Sequence, residues 1–261
     1  MTDQKLIVDF ENGINRITIN RPERRNAVDT ETIKLLHDAI RESEANEVKV
    51  VVLTGSGEAF CAGADLQVRT PEEIRSYDVT EALRTSTNPT ILAMRRLAKP
   101  IIARLHGPAA GVGCSLALAC DIRIASDQAK LGQVFIKLGL MPDGGSTYFL
   151  PRMVGYGKAF ELMAAGELID AREALQLGLV NRVVPLPELD AAVSSIAVKL
   201  ASAPSIALRK IKLALNYGEQ ADLAAALKFE AVNQAECFHS EDFLEGVEAF
   251  LAKRIPDFKG R

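Results

Sequence analysis

The stretch IIARLHGPAAGVGCSLALACDIRIAS, residues 101–126, holds two apolar segments typical of buried strands, separated by a glycine-rich loop and a short apolar helix. IIARLHG predicts a strand, VGCSLALACD a helix and IRIAS a second strand. Strands that alternate with helices favour an α/β fold with crossover connections over a sandwich. In such folds ligands bind at the carboxyl ends of the strands, which is where this loop would lie.

The same alternation continues on both sides of this stretch. LIVDFENGINRITIN predicts a hairpin turning at Asn12-Gly13, and NAVDTETIKLLHDAIRESEANE predicts an amphipathic helix. VKVVVLTGSG predicts a buried strand, and TSTNPTILAMRRLAKP predicts a helix that stops before Pro100. From about Pro204 onward, amphipathic helices follow one another without a strand. We therefore divide the chain into a core, residues 1–200, and a helical carboxy-terminal region, residues 201–261.

The composition indicates an ordinary soluble protein. The 261 residues are 48% hydrophobic and 25% charged, with a net charge of −3, so nothing points to nucleic acid. No apolar run approaches the roughly 18 residues of a membrane span, and the amino terminus does not resemble a secretory signal, so we expect a cytoplasmic protein. Four cysteines without a CxxC pair are expected to be reduced and structural, and three histidines without metal spacing predict no metal site.

Two glycine-bearing loops, TGSGEAFCAGADL and HGPAAGVGCSL, follow predicted strands. Neither is a phosphate motif, because the first lacks the third glycine of GxGxxG and no GxxxxGK[ST] occurs. The glycines are explained either by tight packing alone or by an oxyanion hole, in which backbone N–H groups from both loops hold one oxygen. His106 next to the second loop is expected to be structural or to line a pocket.

Two other features can be explained either by local structure alone or by a catalytic role. Gly113-Cys114-Ser115-Leu116-Ala117 approaches the GxSxG motif of hydrolases, with His239 downstream, but the glycines cluster before the serine rather than around it. LGLMPDGGSTYFLPR, residues 138–152, places Asp143 between a proline and two glycines. Taken locally, that is simply a turn.

Spaced motifs along nearly the whole chain resemble the crotonase or enoyl-CoA hydratase/isomerase superfamily. They are ITINRPERRNAVD, FCAGADL, AAGVGCSLALACDIRIAS, LGQVFIKLGLMPDGGSTYFLPRMVG, AREALQLGLVNRVVP and AFLAKRIPDFKGR. The resemblance implies a crotonase-like α/β core of repeated ββα units and a helical carboxy-terminal region that builds homotrimers, often paired into hexamers. It also implies an acyl-CoA thioester as substrate and no separate cofactor, because coenzyme A enters as part of the substrate.

The resemblance also implies roles for individual residues. The oxyanion hole corresponds to the backbone N–H groups of Ala64 and Val112, with Gly113 beside them. Lys253 matches a basic residue that reaches the CoA phosphates, including from a neighbouring subunit. The remaining positions expected to bind the substrate are Ala62, Asp65, Leu66 and Gln67 near the pantetheine and adenine, and Arg25 and Ala27 on the nucleotide side.

The sequence departs from the hydratase pattern at both catalytic glutamates, where it has Ser115 and Phe135. Addition of water needs an acid and a base over the double bond, and these side chains supply neither. In several isomerase branches of the family the catalytic carboxylate occupies the position of Asp143. We therefore expect Asp143 to be catalytic, Phe135 to contribute to an apolar pocket, and the enzyme to shift a double bond from 3-enoyl-CoA to 2-enoyl-CoA. The alternatives are a 2-enoyl-CoA hydratase, an isomerase of a phenylacetyl-CoA ring epoxide, and a non-catalytic acyl-CoA-binding subunit.

Overall fold

The computed structural model of the protein describes residues 4–66 and 70–261. In these ranges the strands are β1 Leu6–Glu11, β2 Ile14–Ile19, β3 Val50–Gly55, β4 Ile101–Leu105, β5 Ala109–Ala110, β6 Ile122–Ser126, β7 Lys130–Gly132, β8 Ile169–Asp170 and β9 Arg182–Val184. The helices are α1 Thr30–Glu42, α2 Pro71–Ser76, α3 Val79–Ala82, α4 Asn88–Arg96, α5 Val112–Ala119, α6 Ser146–Val154, α7 Tyr156–Ala165, α8 Ala171–Gln176, α9 Leu189–Ala201, α10 Ser205–Gly218, α11 Leu223–Phe238 and α12 Glu241–Ala252. Short 3-10 helices lie at Pro22–Arg24, Val134–Leu138 and Leu186–Glu188, and a π-helical turn lies at Leu83–Thr87.

The main sheet has the order β1-β2-β3-β4-β6-β9. β1 and β2 form the predicted antiparallel hairpin, and Asn12 and Gly13 both have positive φ, 50° and 78°, as a tight hairpin turn requires. All other pairings in this sheet are parallel. The α/β fold is therefore as predicted, and β3 and β4, being parallel neighbours, end at the same edge of the sheet.

β3 is buried on both faces, which explains its unbroken apolar sequence. Val51 and Leu53 belong to the large core between the sheet and helices α1, α4 and α5. Val50 and Val52 face the opposite side and pack in a second core with Leu189 of α9. The two strands that carry the glycine loops are thus held between helical layers on both faces.

The segment predicted as one helix ending before Pro100 differs from that expectation at both ends. The π-helical turn precedes α4, and Pro89 in the first turn of α4 has no N–H to donate to residue 85. α4 then ends at Arg96, because Leu97 turns to an extended conformation with ψ 122°. The regular helix is therefore shorter than the sequence pattern indicated.

Helices α10 to α12 follow one another without a strand, as predicted. Lys212 of α10 is buried and donates hydrogen bonds to the carbonyl oxygens of Met94 and Lys99 and to Asp121, which fastens the carboxy-terminal helices to the core. The division at residues 200 and 201 stays a prediction.

In the described ranges no single helix is long and apolar enough to cross a membrane. One bent pair of segments, Leu186–Ala201 with Ser205–Gly218, is long and apolar enough by length and composition alone.

Candidate active site

The two glycine loops are hydrogen-bonded to each other just beyond β3 and β4. Cys61 N–H donates to the Pro108 oxygen at 3.1 Å, and Ala110 N–H donates to the Cys61 oxygen at 2.9 Å. Gly113 permits this approach, because a Cβ at this position would lie 2.3 Å from the Cys61 oxygen. The sequence could place each loop at a strand end, and the structure joins them into one frame.

This frame brings together the two N–H groups expected to form the oxyanion hole. Val112 is the first residue of α5, so its N–H has no partner within the helix. Neither Ala64 N–H nor Val112 N–H donates to another backbone group in the described ranges. Gly63 and Gly111, the residues preceding them, lie close together, since a Cβ on Gly111 would lie 3.8 Å from the Gly63 Cα. Two unpaired donors therefore lie on adjoining loops, at the positive end of a helix dipole.

The helix α5 is buried along its whole length. Solvent screens the field of a helix dipole least where the helix is buried, so the partial positive charge at Val112 acts at close to full strength. The two loops also carry the thiol groups of Cys61 and Cys114. Burial raises the pKa of Cys61 and of Cys114 to about 12, and both are free, uncharged side chains, in keeping with the structural role expected for them.

Asp143 lies in a turn that packs directly on the first turn of α5. The next residue, Gly144, has φ +60°, and a Cβ there would lie 2.8 Å from Ser115 Cβ and 3.5 Å from Val112 Cγ2. Burial raises the pKa of Asp143 above its ordinary value, and its Oδ1 has no hydrogen-bond partner in the described residues. The turn that carries this carboxyl group therefore packs beside a predicted oxyanion-hole residue.

Phe135 and Ser115, the residues at the two glutamate positions, are both buried. A Cβ on Gly111 would lie 3.8 Å from the Phe135 ring, so this ring adjoins the oxyanion loop. Ser115 Oγ is enclosed by the Gly111 oxygen, the Asp143 carbonyl oxygen and Ser146 Oγ, at 3.2, 2.9 and 2.6 Å.

The hydrolase interpretation finds no support in this arrangement. Ser115 lies within α5 at zero exposure rather than on a strand-to-helix elbow. His239 follows α11 in the carboxy-terminal region, where its Nδ1 contacts the Ala235 oxygen. His106 is buried, and burial lowers its pKa, which agrees with the structural role expected for it.

The segments expected to contact the nucleotide are connected to the first glycine loop. Ala62 N–H donates to the Arg25 oxygen at 2.9 Å, and Arg21 donates to the Ala27 oxygen at 2.6 Å. Arg21 also forms an ion pair with Asp65 at 2.6 Å. The Asp65 carboxylate thus already has a partner in the protein, whereas Arg25 is exposed at the rim.

The other expected binding residues are less closely connected to this site. Leu66 is exposed, and Gln67 lies outside the described residues. Lys253 is the exposed residue that ends α12, with φ 54°. No contact in the described ranges brings Lys253 to the glycine loops of its own chain.

Asn26 is a residue of this site that the sequence analysis did not single out. It is fully buried, accepts a hydrogen bond from Arg21 N–H, and donates to the carbonyl oxygens of Ser56 and Ala59. Its φ of 58° is in the left-handed region, which asparagine tolerates better than most residues. In the sequence, Asn26 is only a polar residue between RR and AV. The Ser56 and Ala59 oxygens to which it donates lie 30 and 33 residues away, so the local sequence could not reveal its role.

A groove lined by the carboxy-terminal helices lies elsewhere, between α10, α11 and α12. Its volume is about 1060 Å³, and its lining is mainly apolar, including Phe243, Phe250 and Leu251. In the described ranges no group of three or more His, Cys, Asp or Glu side chains has the arrangement of a metal site.

Comparison with known proteins agrees with the geometry of the loops. A sequence model of the enoyl-CoA hydratase/isomerase family matches residues 9–261. The chain is 40% identical over 261 residues to the short-chain-enoyl-CoA hydratase of Clostridium acetobutylicum, covering 98% of both chains. It is 37% identical over 258 residues to the 1,2-epoxyphenylacetyl-CoA isomerase of Escherichia coli K12, again covering 98% of both. The solved structure of the enoyl-CoA hydratase from Bacillus anthracis superposes with a TM-score of 0.91 at 36% identity, covering 99% of this chain and 100% of that one.

Proposed function

Because the chain belongs to the enoyl-CoA hydratase/isomerase family, we propose that it moves the double bond of a 3-enoyl-CoA to position 2 through an enolate of the thioester. The observation that carries this proposal is the partly buried Asp143 in a turn that packs against Ser115 and Val112, in a site whose two hydratase glutamate positions hold Ser115 and Phe135. One acid in place of two fits a proton shuttle better than addition of water.

In the proposed mechanism the thioester oxygen binds between the N–H groups of Ala64 and Val112. The Asp143 carboxylate removes a proton from C2, and the electron pair of that C–H bond delocalises onto the thioester oxygen and C4. Each preorganised N–H donor would lower the barrier by about 3 to 4 kcal/mol. Asp143, now protonated, returns the proton to C4, and the double bond is left between C2 and C3.

The raised pKa of Asp143 serves both half-reactions. A carboxylate with a raised pKa is a stronger base toward the weakly acidic C2 proton. The proton that it takes up is still acidic enough to return to C4. Because the reaction moves one proton and shifts a double bond within the substrate, with no net oxidation or reduction, the proposal needs neither a metal nor a redox cofactor, and coenzyme A arrives with the substrate.

Two alternatives are supported by relatives rather than by the geometry. The second candidate is hydration of a 2-enoyl-CoA with Asp143 as the acting acid, and it is supported by the 40% identity to a short-chain-enoyl-CoA hydratase. The 1,2-epoxyphenylacetyl-CoA isomerase at 37% identity supports a ring substrate for the same enolate chemistry. A non-catalytic acyl-CoA-binding subunit is the remaining alternative, and it predicts binding without proton exchange.

The carboxy-terminal helices support an oligomer, which we propose to be a homotrimer or a dimer of trimers. Phe250 and Leu251 are 82% and 76% exposed beside the groove of α10 to α12, an arrangement that a second copy of the chain would cover. Lys253 lies two residues after Leu251 and would then lie where it can reach the CoA phosphates of a neighbour. We also propose a cytoplasmic location for this assembly.

The experiment that tests the proposed function follows deuterium incorporation from D₂O at C2 and C4 of 3-hexenoyl-CoA. The wild type is expected to exchange both positions and to form 2-hexenoyl-CoA, and Asp143→Asn is expected to do neither while still binding a saturated acyl-CoA. Exchange that persists in Asp143→Asn would contradict the assigned acid. Wild-type binding without exchange would favour the ring substrate or the binding subunit, and loss of the conjugated thioester absorbance in a 2-enoyl-CoA would favour the hydratase.

A further inference from the structure

Ser115 occupies a position at which its hydroxyl can fix the turn that carries Asp143. Its Oγ lies 2.9 Å from the Asp143 carbonyl oxygen, 3.2 Å from the Gly111 oxygen and 2.6 Å from Ser146 Oγ. A serine has one proton to donate, and of the two carbonyl oxygens that of Asp143 is the nearer to Ser115 Oγ. The consistent assignment has Ser115 donating to Asp143 and Ser146 donating to Ser115.

The contact between the turn and α5 is closely packed as well as hydrogen-bonded. A Cβ on Gly144 would lie 2.8 Å from Ser115 Cβ, so neither a side chain at residue 144 nor a larger residue at 115 fits without movement. The Asp143 carbonyl oxygen also accepts from Ser146 N–H at 3.2 Å. The backbone of the turn is therefore held on the first turn of α5 through its carbonyl oxygen and through Gly144.

The carboxyl group of Asp143 has no such support of its own. Its buried Oδ1 has no hydrogen-bond partner in the described residues, so the backbone of the turn decides where the carboxyl lies. The same turn of α5 begins with Val112, the predicted oxyanion-hole donor. The hydroxyl of Ser115 thus links the position of the acid to that of the donor.

We propose that Ser115 is a positioning residue that holds the Asp143 turn against α5 and sets the distance between the acid and the thioester oxygen. The proposal rests on the proposed function, because it assigns Asp143 as the acid. At the position where a hydratase has a glutamate, this chain has a side chain that contacts no substrate and positions the acid on the neighbouring segment.

The test compares Ser115→Ala with wild type in the isomerisation of 3-hexenoyl-CoA, using kcat, KM, the pH dependence of kcat and thermal unfolding. A misplacement of about 1 Å can cost about 100-fold in rate, so we expect kcat to fall roughly 10- to 100-fold while KM changes less than about threefold. Since the Asp143 environment changes, the inflection of the pH profile should also move. Ser146→Ala, which removes only the donor to Ser115, should lower kcat by a smaller factor.

Ser43→Ala is the matched control for a purely structural effect. Ser43 is equally buried and hydrogen-bonded, donating to the Ala39 oxygen and accepting from Asn15, but it lies at the end of α1. It should lower Tm and leave kcat and the pH profile unchanged. A Ser115→Ala enzyme that behaves in the same way, with wild-type kcat per folded molecule at every pH, would overturn the positioning role.

The failure of this proposal and the failure of the proposed function give different results. If Asp143→Asn is as active as wild type, the assigned acid is wrong whatever Ser115→Ala does. If Asp143→Asn is inactive and Ser115→Ala is normal, only the positioning role fails. Should Ser115→Ala not fold, Ser146→Ala decides, since a wild-type kcat in that variant would contradict the hydroxyl pair.

Discussion

Replacing Val112 by proline should remove one oxyanion-hole donor with little damage to the fold. Val112 is the first residue of α5, where the N–H has no partner inside the helix and where proline is favoured. Gly111 has ψ −128°, outside the α region that a following proline disfavours. The substitution therefore deletes the hydrogen that would bind the thioester oxygen and deletes no backbone hydrogen bond of the helix.

The magnitude follows from the environment of that donor. α5 is wholly buried, so its positive end is poorly screened, and loss of one such donor costs about 2.7 to 4 kcal/mol of transition-state stabilisation. At 1.36 kcal/mol for each factor of ten, kcat should fall roughly 100- to 1000-fold. Binding of a saturated acyl-CoA, whose carbonyl carries little charge, should weaken far less.

Val112→Ala is the control, because it removes the same side chain, including the methyl group that faces Gly144, but keeps the N–H. Both variants would be assayed for kcat and for C2 deuterium exchange, with thermal unfolding as the check on folding. If Val112→Pro is folded and its kcat lies within about threefold of that of Val112→Ala, the assignment of this N–H as an oxyanion-hole donor is wrong.

Three further outcomes are expected from other parts of the chain. Burial raises the pKa of Asp143, so the ionised carboxylate destabilises the fold. Asp143→Asn should therefore raise Tm at pH 7 and should leave Tm unchanged below the ordinary aspartate pKa of 3.8. An unchanged or lower Tm at pH 7 would contradict this. Asn26→Ala removes the hydrogen bonds of three buried or partly buried backbone groups and should cost about 3 kcal/mol or more in urea unfolding, while raising KM for the CoA ester more than it lowers kcat. An unchanged KM would show that Asn26 does not support the segment expected to bind the nucleotide. Phe250→Glu places a charge beside the carboxy-terminal groove and should reduce the mass measured by light scattering to that of a smaller assembly, whereas an unchanged mass would exclude this face from the subunit interface.

The sequence predicted the elements whose patterns are local. The hairpin at Asn12-Gly13, the buried strands and the loops that follow them all depend on residues close together in the chain. The family motifs also pointed to Ala64, Val112 and Asp143, and the structure brings the segments that carry them together. Their catalytic roles stay predictions that the experiments above address.

What the sequence could not predict are contacts between distant residues. Ser115 suggested only a missing glutamate, because its hydrogen bond to Asp143 spans 28 residues. Nothing in the local sequence distinguishes Asn26, which donates to the Ala59 oxygen on the first glycine loop, 33 residues away. The π-helical turn before α4 reflects a missing N–H at Pro89, and periodicity in a helical segment does not reveal which kind of turn accommodates it.

The proposed acid and the proposed oxyanion donors lie on separate segments, with Asp143 in the turn before α6 and the donors on the loops after β3 and β4. In the proposed mechanism, recognition of the thioester and choice of the reaction therefore depend on different segments of the chain, which meet at Ser115. In the proposed mechanism, a mutation in the turn would alter which carbon exchanges its proton and would leave the CoA ester bound as before. A redesign of this enzyme would accordingly keep both glycine loops unchanged and vary the turn together with Ser115, the residue on which it rests.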